Sequence, residues 1–340
     1  MIKSLTGLRG IAAIVVMLYH MWSGTLATEA CMAMITMMAM SGMVNAMHHS
    51  RVPGNGRQYW RYLALRLAHI LPLHWLTLGA LLIAGNHTVN WVLGANALLI
   101  HAWIPDLSVC YSFNTMSWFL SALIPCYILL PTVCHWLQRV PVKWQASGLV
   151  LALAVEAMWL LTLEPGPQAT WAAFVAPPVQ FVNFVAGIIA CNVWQSLPKR
   201  SFSTASATAV EASVAVTLAA VAWITHTGPL PARLGAPYCL WILLTVMVTL
   251  CLTAESNGAF TRILSSRLLQ WLGGISFEIF MTHGMVCTAV LHAVPQLTSL
   301  PWGCQAAACM VPVAVAAWAV NHLLRPVTGK LKSTINSRFQ

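Results

Sequence analysis

Charge is the scarcest commodity in this sequence: seventeen Lys and Arg and seven Asp and Glu make up only 7% of 340 residues. A soluble domain carries about 25% charged residues. The few charges here could not cover a water-facing surface, so a soluble globular fold is excluded. Also missing is the two-residue alternation of an outer-membrane barrel, since runs such as Ile11–Trp22 and Val210–Ile224 are apolar on all sides. The ten cysteines include no Cys-x-x-Cys, and the twelve histidines form no His-x-x-x-His ladder. Metal chemistry therefore has no framework, and no metal is expected. Internal repeats, a usual trace of transporters, are absent as well.

What is present is apolar length, with 59% of residues hydrophobic. A membrane-spanning helix needs about 20 such residues, and only helices or closed barrels satisfy their backbone polar groups in lipid. The expectation is an all-α, polytopic membrane protein of about ten spans, near 5–24, 26–47, 67–85, 117–137, 146–163, 171–195, 208–226, 236–254, 271–293 and 303–324. Residues 1–325 form one transmembrane domain on this reading, and 326–340 a basic cytoplasmic tail. Pro125 and the Pro177-Pro178 pair are positioned to break their helices.

The basic residues decide orientation. With both termini cytoplasmic, sixteen of the seventeen fall inside: Lys3, Arg9, Arg51, Arg57, Arg61, Arg66, Arg139, Lys143, Lys199, Arg200, Arg262, Arg267, Arg325, Lys330, Lys332 and Arg338. Only Arg233 falls outside. Were Val89–Ile104 a span, every later loop would change sides and the bias would invert. Gly85–Met116 is therefore read as one long external or re-entrant segment, the kind of loop that is more often functional than idle. Cys110 and Cys304 both lie on that outer side and could pair in an oxidising compartment. Lys3 and Arg9 ahead of an apolar run resemble a cleaved leader, but a leader has no reason to carry Arg9 and His20, so the first helix is expected to be retained.

Polar groups at membrane depth are functional hypotheses by default. Arg9 and His20 are eleven residues apart, three helical turns and about 20° from alignment, and about 16 Å along the axis. They share one face, and a long extended substrate could touch both. Read plainly, Arg9 is an interface anchor and His20 a helix-to-helix hydrogen bond.

LTGLRGIAAIVVMLYH at the N-terminus resembles the signature of the acyltransferase-3 family of integral membrane O-acyltransferases, through Arg9, Gly10 and His20. RLAHILPLHW resembles its basic block through Arg66, Ile70 and Pro72, with His69 where the family has a second Arg. SWFLSALIPCYILLP is similar to a third block through Trp118, Leu120, Ser121 and Tyr127, and LQWLGGISFEIFMTHGMV to a fourth through Trp271, Leu272, Gly273, Ile275, Ser276, Phe277, Phe280 and His283. The family's acid in the third block falls at Leu123. Glu278 or Glu156 would have to replace it, and Glu278, about 140° round the helix from His283, must reach a different helix.

The resemblance implies transfer of an acyl group, usually acetyl from cytoplasmic acetyl-CoA, to a hydroxyl of a cell-surface polysaccharide such as O-antigen or exopolysaccharide, at a bacterial inner (plasma) membrane. Attack of a hydroxyl on a thioester needs a general base, and histidine is the usual one. The catalytic candidates are His20 and Arg9. Arg9, Arg57, Arg61 and Arg66 are the candidates for holding CoA phosphates, while Trp118, Ser121, Glu278 and His283 support. Ser121 and Ser276 read as small packing residues. An amphiphile transporter or flippase, and a relative without catalysis, remain open on the sequence, the second because of Leu123.

Sidedness is testable with single cysteines at Asn55, Ser108 and Asn257 in a cysteine-depleted background, probed by an impermeant thiol reagent on intact cells. Ser108 alone is expected to label. Labelling at Asn257 without Ser108 would make Val89–Ile104 a span and invert everything after it.

Overall fold

The computed structural model describes residues 2–21, 27–48, 55–85, 90–164, 166–198, 201–227 and 235–339, and among these there is no strand. In chain order the helices are α1 (Lys3–Met21), α2 (Ala27–His48), α3 (Gly56–Ala84), α4 (Trp91–Ala97), α5 (Leu107–Cys110), α6 (Ser117–Leu137), α7 (Val142–Thr162) and α8 (Pro167–Thr170). They continue with α9 (Pro177–Ser196), α10 (Thr204–Thr227), α11 (Gly235–Thr253), α12 (Ala259–Leu264), α13 (Arg267–Gly274), α14 (Ser276–Ala293) and α15 (Trp302–Arg338). Among the described residues, seven helices are long and apolar enough to cross a bilayer, or eight with α13 and α14 taken as one span bent by 71°. The two other expected spans lie on α10 and α11, whose described apolar stretches, Thr204–Ala220 and Leu244–Ser256, are shorter. Arg51, Lys199, Arg200 and Arg233 lie outside the described residues.

Several boundaries differ from expectation. α3 begins eleven residues early, at Gly56 rather than 67, because Asn55 caps it by accepting from the Gln58 amide at 2.9 Å. Arg57, Arg61 and Arg66 therefore stand on a helix and not in a loop. Pro125 and Pro131 lie inside an unbroken α6. The proline pair does interrupt, since α9 starts at Pro177 after a single wide turn over Trp171–Val175. The stretch expected as a tail is, through Arg338, the prolongation of α15.

The 90–116 segment holds no helix of spanning length, only α4, α5 and a short 3-10 turn. It folds back along the bundle. His74 Nε2 meets the Asn96 carbonyl at 2.9 Å, and Trp75 donates to the Ala97 carbonyl at 3.1 Å. Both anchors lie about 15 Å below the end of α3 at 1.5 Å per residue. The Ala102 amide donates to Ser121 and the Trp171 indole to the Ala102 carbonyl, while Asn114 donates to the Met281 carbonyl. The described part of the segment is thus held against α3, α6 and α14.

Close helix approach rests on small residues, as expected where lipid is as apolar as the side chains. A methyl group at Gly42 would strike the Phe184 carbonyl, and one at Gly187 the Ala39 carbonyl, so α2 and α9 touch backbone to backbone. α1 meets the α12–α13 region in the same way: Gly7 lies against Leu264, Gly10 against Gly273, and Gly273 against the Thr6 carbonyl. On the side of α1 away from Arg9 and His20, Ile11, Val15, Leu272, Met310 and Trp318 line an apolar groove of about 680 Å³. The polar work of α1 is confined to its other face.

Replacing Gly273 by Ala should destabilise the bundle by about 1–3 kcal/mol through overpacking. Gly284→Ala, where a Cβ meets nothing within 4 Å, should leave stability equal or higher. Thermal unfolding in one detergent compares them, and equal melting temperatures for the two variants would show that the Gly273 contact is not tight.

Candidate active site

The bend between α13 and α14 frees backbone carbonyls that an unbroken helix would consume. Arg9 uses one: its Nη2 donates to the Gly273 carbonyl at 2.6 Å. Ser276 Oγ donates to the same oxygen at 2.9 Å. This is why two motifs far apart in sequence carry glycines, since the guanidinium reaches the break only if Gly10 and Gly273 bring the backbones together. Nε of Arg9 is buried without a hydrogen-bond partner among the described residues.

Three turns further along α1, His20 meets His283 of α14. His20 Nδ1 lies 2.8 Å from the Val16 carbonyl and 3.4 Å from His283 Nε2, with ring centroids 5.2 Å apart. A carbonyl only accepts, so His20 Nδ1 carries the proton and Nε2 presents the lone pair. His283 Nδ1 faces the Ile279 carbonyl at 3.1 Å, which by the same rule leaves its Nε2 as an acceptor aimed at His20. The two tautomers are mutually consistent. His283 is 1% exposed and held between Phe280 and His20, whereas His20 is an exposed side chain. One ring is packed and the other is reachable.

At the level of Arg9, the structure gathers further polar groups. The Arg66 guanidinium lies over the rings of Tyr62 and Tyr127 at 5.4 and 5.5 Å. Tyr127 shares a hydrogen bond of 3.0 Å with Ser41. Glu278 and Tyr127 act electrostatically on Arg9. Glu278 reaches a different helix, as its angle demanded: Asn321 of α15 donates to its Oε1 at 2.7 Å. Leu123 is 6% exposed in the apolar core, and among the described residues no carboxylate hydrogen-bonds to either histidine ring.

Not every candidate joins this constellation. Arg57 and Arg61 engage the end of α15, donating to the Arg338 carbonyl at 3.3 Å and to Asn336 Oδ1 at 3.1 Å. Trp118 packs on Phe119 and Phe174, and Ser121 accepts from the Ala102 amide of the 90–116 segment. Glu156 of α7 keeps a buried Oε2 with no hydrogen-bond partner among the described residues. Cys110 and Cys304 are free thiols, one buried and one exposed, so the disulfide they might have formed is not made. A serine–histidine contact does exist, Ser117 Oγ to His101 Nε2 at 3.1 Å, but both side chains are fully buried. The pair pins the 90–116 segment to α6. Among the described residues no group of three His, Cys, Asp or Glu is placed to hold a metal ion.

Asn321 escaped the sequence reading. The signal was available, because Asn321, Thr328 and Lys332 follow helical spacing along a stretch taken partly for tail.

The helical bundle thus carries a reachable imidazole at one level and guanidinium groups at another. The comparisons give the class: the family described as an acyltransferase domain matches residues 2–319. The chain belongs to this acyltransferase-3 family and is an acyltransferase. It is similar to the acyltransferase MdmB of Streptomyces mycarofaciens, with 27% identity over 321 residues, covering 84% of this chain and 79% of the relative. No solved structure matches.

The histidine contact has a kinetic consequence. Losing one neutral hydrogen bond of about 1–1.5 kcal/mol in His283→Ala should lower kcat about tenfold with KM for the donor unchanged. His283→Gln, whose amide oxygen can still accept from His20, should lose less. Steady-state kinetics on reconstituted protein decide, and an unchanged kcat in His283→Ala would remove His283 from the site.

Proposed function

We propose that the protein is a membrane-bound O-acetyltransferase of the bacterial plasma membrane, moving an acetyl group from cytoplasmic acetyl-CoA to a hydroxyl of a surface polysaccharide or its lipid-linked precursor. The observation carrying this reading is the single polar face of α1, with Arg9 tied to the helix break and His20 Nε2 open beyond it. The donor lies along that face, its phosphates at Arg9 and Arg66 and its thioester toward His20. Arginine suits phosphate because its fork of donors is permanently charged.

His20 Nε2 takes the proton of the acceptor hydroxyl as the oxygen attacks the thioester carbon. The tetrahedral adduct collapses with loss of the C–S bond, and the proton passes from His20 to the leaving CoA sulfur. During the step the imidazolium is held by Val16 and His283 through Nδ1–H. Catalysis by this base is typically worth about 10²–10⁴-fold. Arg57 and Arg61 lie where a donor approaching from the cytoplasm would first meet positive charge, a role in entry more than in binding.

Two substitutions test this reading in protein reconstituted with labelled acetyl-CoA, alongside compositional analysis of surface glycans with and without the gene. His20→Ala and His20→Gln should both abolish acetyl transfer while inserting normally, because neither can take the proton. Arg9→Ala should raise KM for acetyl-CoA about tenfold or more, the value of a charged hydrogen bond, with less effect on the acceptor. Normal product from well-expressed His20→Ala would sink the assignment, and equal loss against both substrates in Arg9→Ala would indicate a misassembled bundle.

A further inference from the structure

The basic block of α3 has a gap. His69 stands where the resemblance places a second arginine, and it is an exposed ring, packed at 5.7 Å against Phe277. Three cations act on that ring: Lys332, Arg66 and Arg9. Two of them belong to the donor face already described. The third comes from the far end of the chain.

Helix register brings it to within about one turn, about 5 Å, of His69 along the axis, a gap its long stem can span. α3 and α15 run antiparallel, clasped where Arg57 meets the Arg338 carbonyl and Arg61 meets Asn336. Moving along both helices from that clasp, Lys332 lies one turn before Asn336, and His69 two turns beyond Arg61. Along this half of α15 the half-buried positions are Asn321, Leu324, Thr328, Lys332, Ile335 and Asn336. Asn321 and Lys332, eleven residues apart, are within about 20° of one another round the helix. Asn321 already serves the site by donating to Glu278. Arg325, Lys330 and Arg338, by contrast, are exposed. A lysine on the packed stripe of a helix, where an apolar residue would serve better for packing, calls for an anionic partner, and among the described residues none is hydrogen-bonded or ion-paired to Lys332.

We propose that Lys332 is a donor-binding residue, a cation delivered by the C-terminal helix that takes the place of the arginine missing at His69 and holds a phosphate of the acyl donor. The inference rests on the CoA reading above. Lysine acts there as a point charge on a long stem, able to reach from α15 where an arginine of α3 would have stood. The end of α15 is then a wall of the donor site.

The test compares Lys332→Ala and Lys332→Gln with Lys330→Ala in reconstituted protein, using acetyl-CoA and, separately, acetyl-pantetheine, which lacks the phosphates. Both Lys332 variants should raise KM for acetyl-CoA about tenfold at unchanged kcat and leave acetyl-pantetheine turnover untouched. Lys330→Ala, with the same loss of charge at an exposed position, should be silent. Adding His69→Arg to Lys332→Ala should bring KM back to within about threefold of the parent, a rescue that a packing role for Lys332 would not produce. Equal effects of Lys330→Ala, equal loss with acetyl-pantetheine, or no rescue would overturn the proposal. Arg66→Ala separates the two readings. If it weakens acetyl-CoA while the Lys332 variants do not, only Lys332 falls. If neither matters, the CoA reading falls and this inference with it.

Discussion

The bond from the Arg9 guanidinium to the Gly273 carbonyl governs the rest of the architecture. A guanidinium in an apolar bundle must find acceptors, and an intact helix has none to spare because each carbonyl is consumed four residues on. The 71° bend at the start of α14 supplies one. Reaching it requires backbone contact, which Gly10 and Gly273 permit and any larger residue would prevent. Once that contact is made, the rotation of α1 about its own axis is fixed. His20, nearly aligned with Arg9, then has to face the helix that follows the bend, and there it meets His283. The spacing of the first motif and the break in the last are two halves of one positioning device.

The same constraint explains the economy of charge. Lys and Arg outnumber Asp and Glu by seventeen to seven, and Glu278, an acid whose field reaches Arg9, spends a lone pair on Asn321. Arg66 is met by aromatic rings, which attract a cation without neutralising it. On the proposed reading, basic charge on this face is what meets the phosphates of the donor.

Helix positions were legible because apolar length is a strong signal, and charge bias spoke against an eleventh crossing over Val89–Ile104, where the described residues hold no helix of spanning length. The shared face of Arg9 and His20 followed from 3.6-residue periodicity alone. What could not be read was contact between distant segments. Nothing in the sequence says that His283 meets His20 rather than Glu278, or that Ser121 holds a loop instead of a substrate, because those outcomes depend on how α14 is aimed after its bend. Boundaries failed where local capping outweighed hydropathy: Asn55 started α3 early, turning a presumed loop of arginines into a helix face. That α15 continues through Arg338 was missed for a related reason, since basic residues dilute the apolar signal while remaining good helix formers.

Leu123 is the departure that most threatened a catalytic reading, because a carboxylate beside a catalytic histidine ordinarily fixes its tautomer and steadies its charged form. The geometry offers another solution. The Val16 carbonyl, one turn back on α1, selects the tautomer with no charge at all, and His283 adds a second acceptor whose own proton is assigned by Ile279. Burying an extra carboxylate in lipid would demand a partner of its own, and the one intramembrane acid near this face already requires Asn321. On the proposed mechanism, orientation by neutral acceptors costs some stabilisation of the imidazolium and in return removes the need to desolvate a second charge. The loss of the acid at Leu123 is thus compatible with an active base, provided that the helix break keeps α14 where His283 can accept.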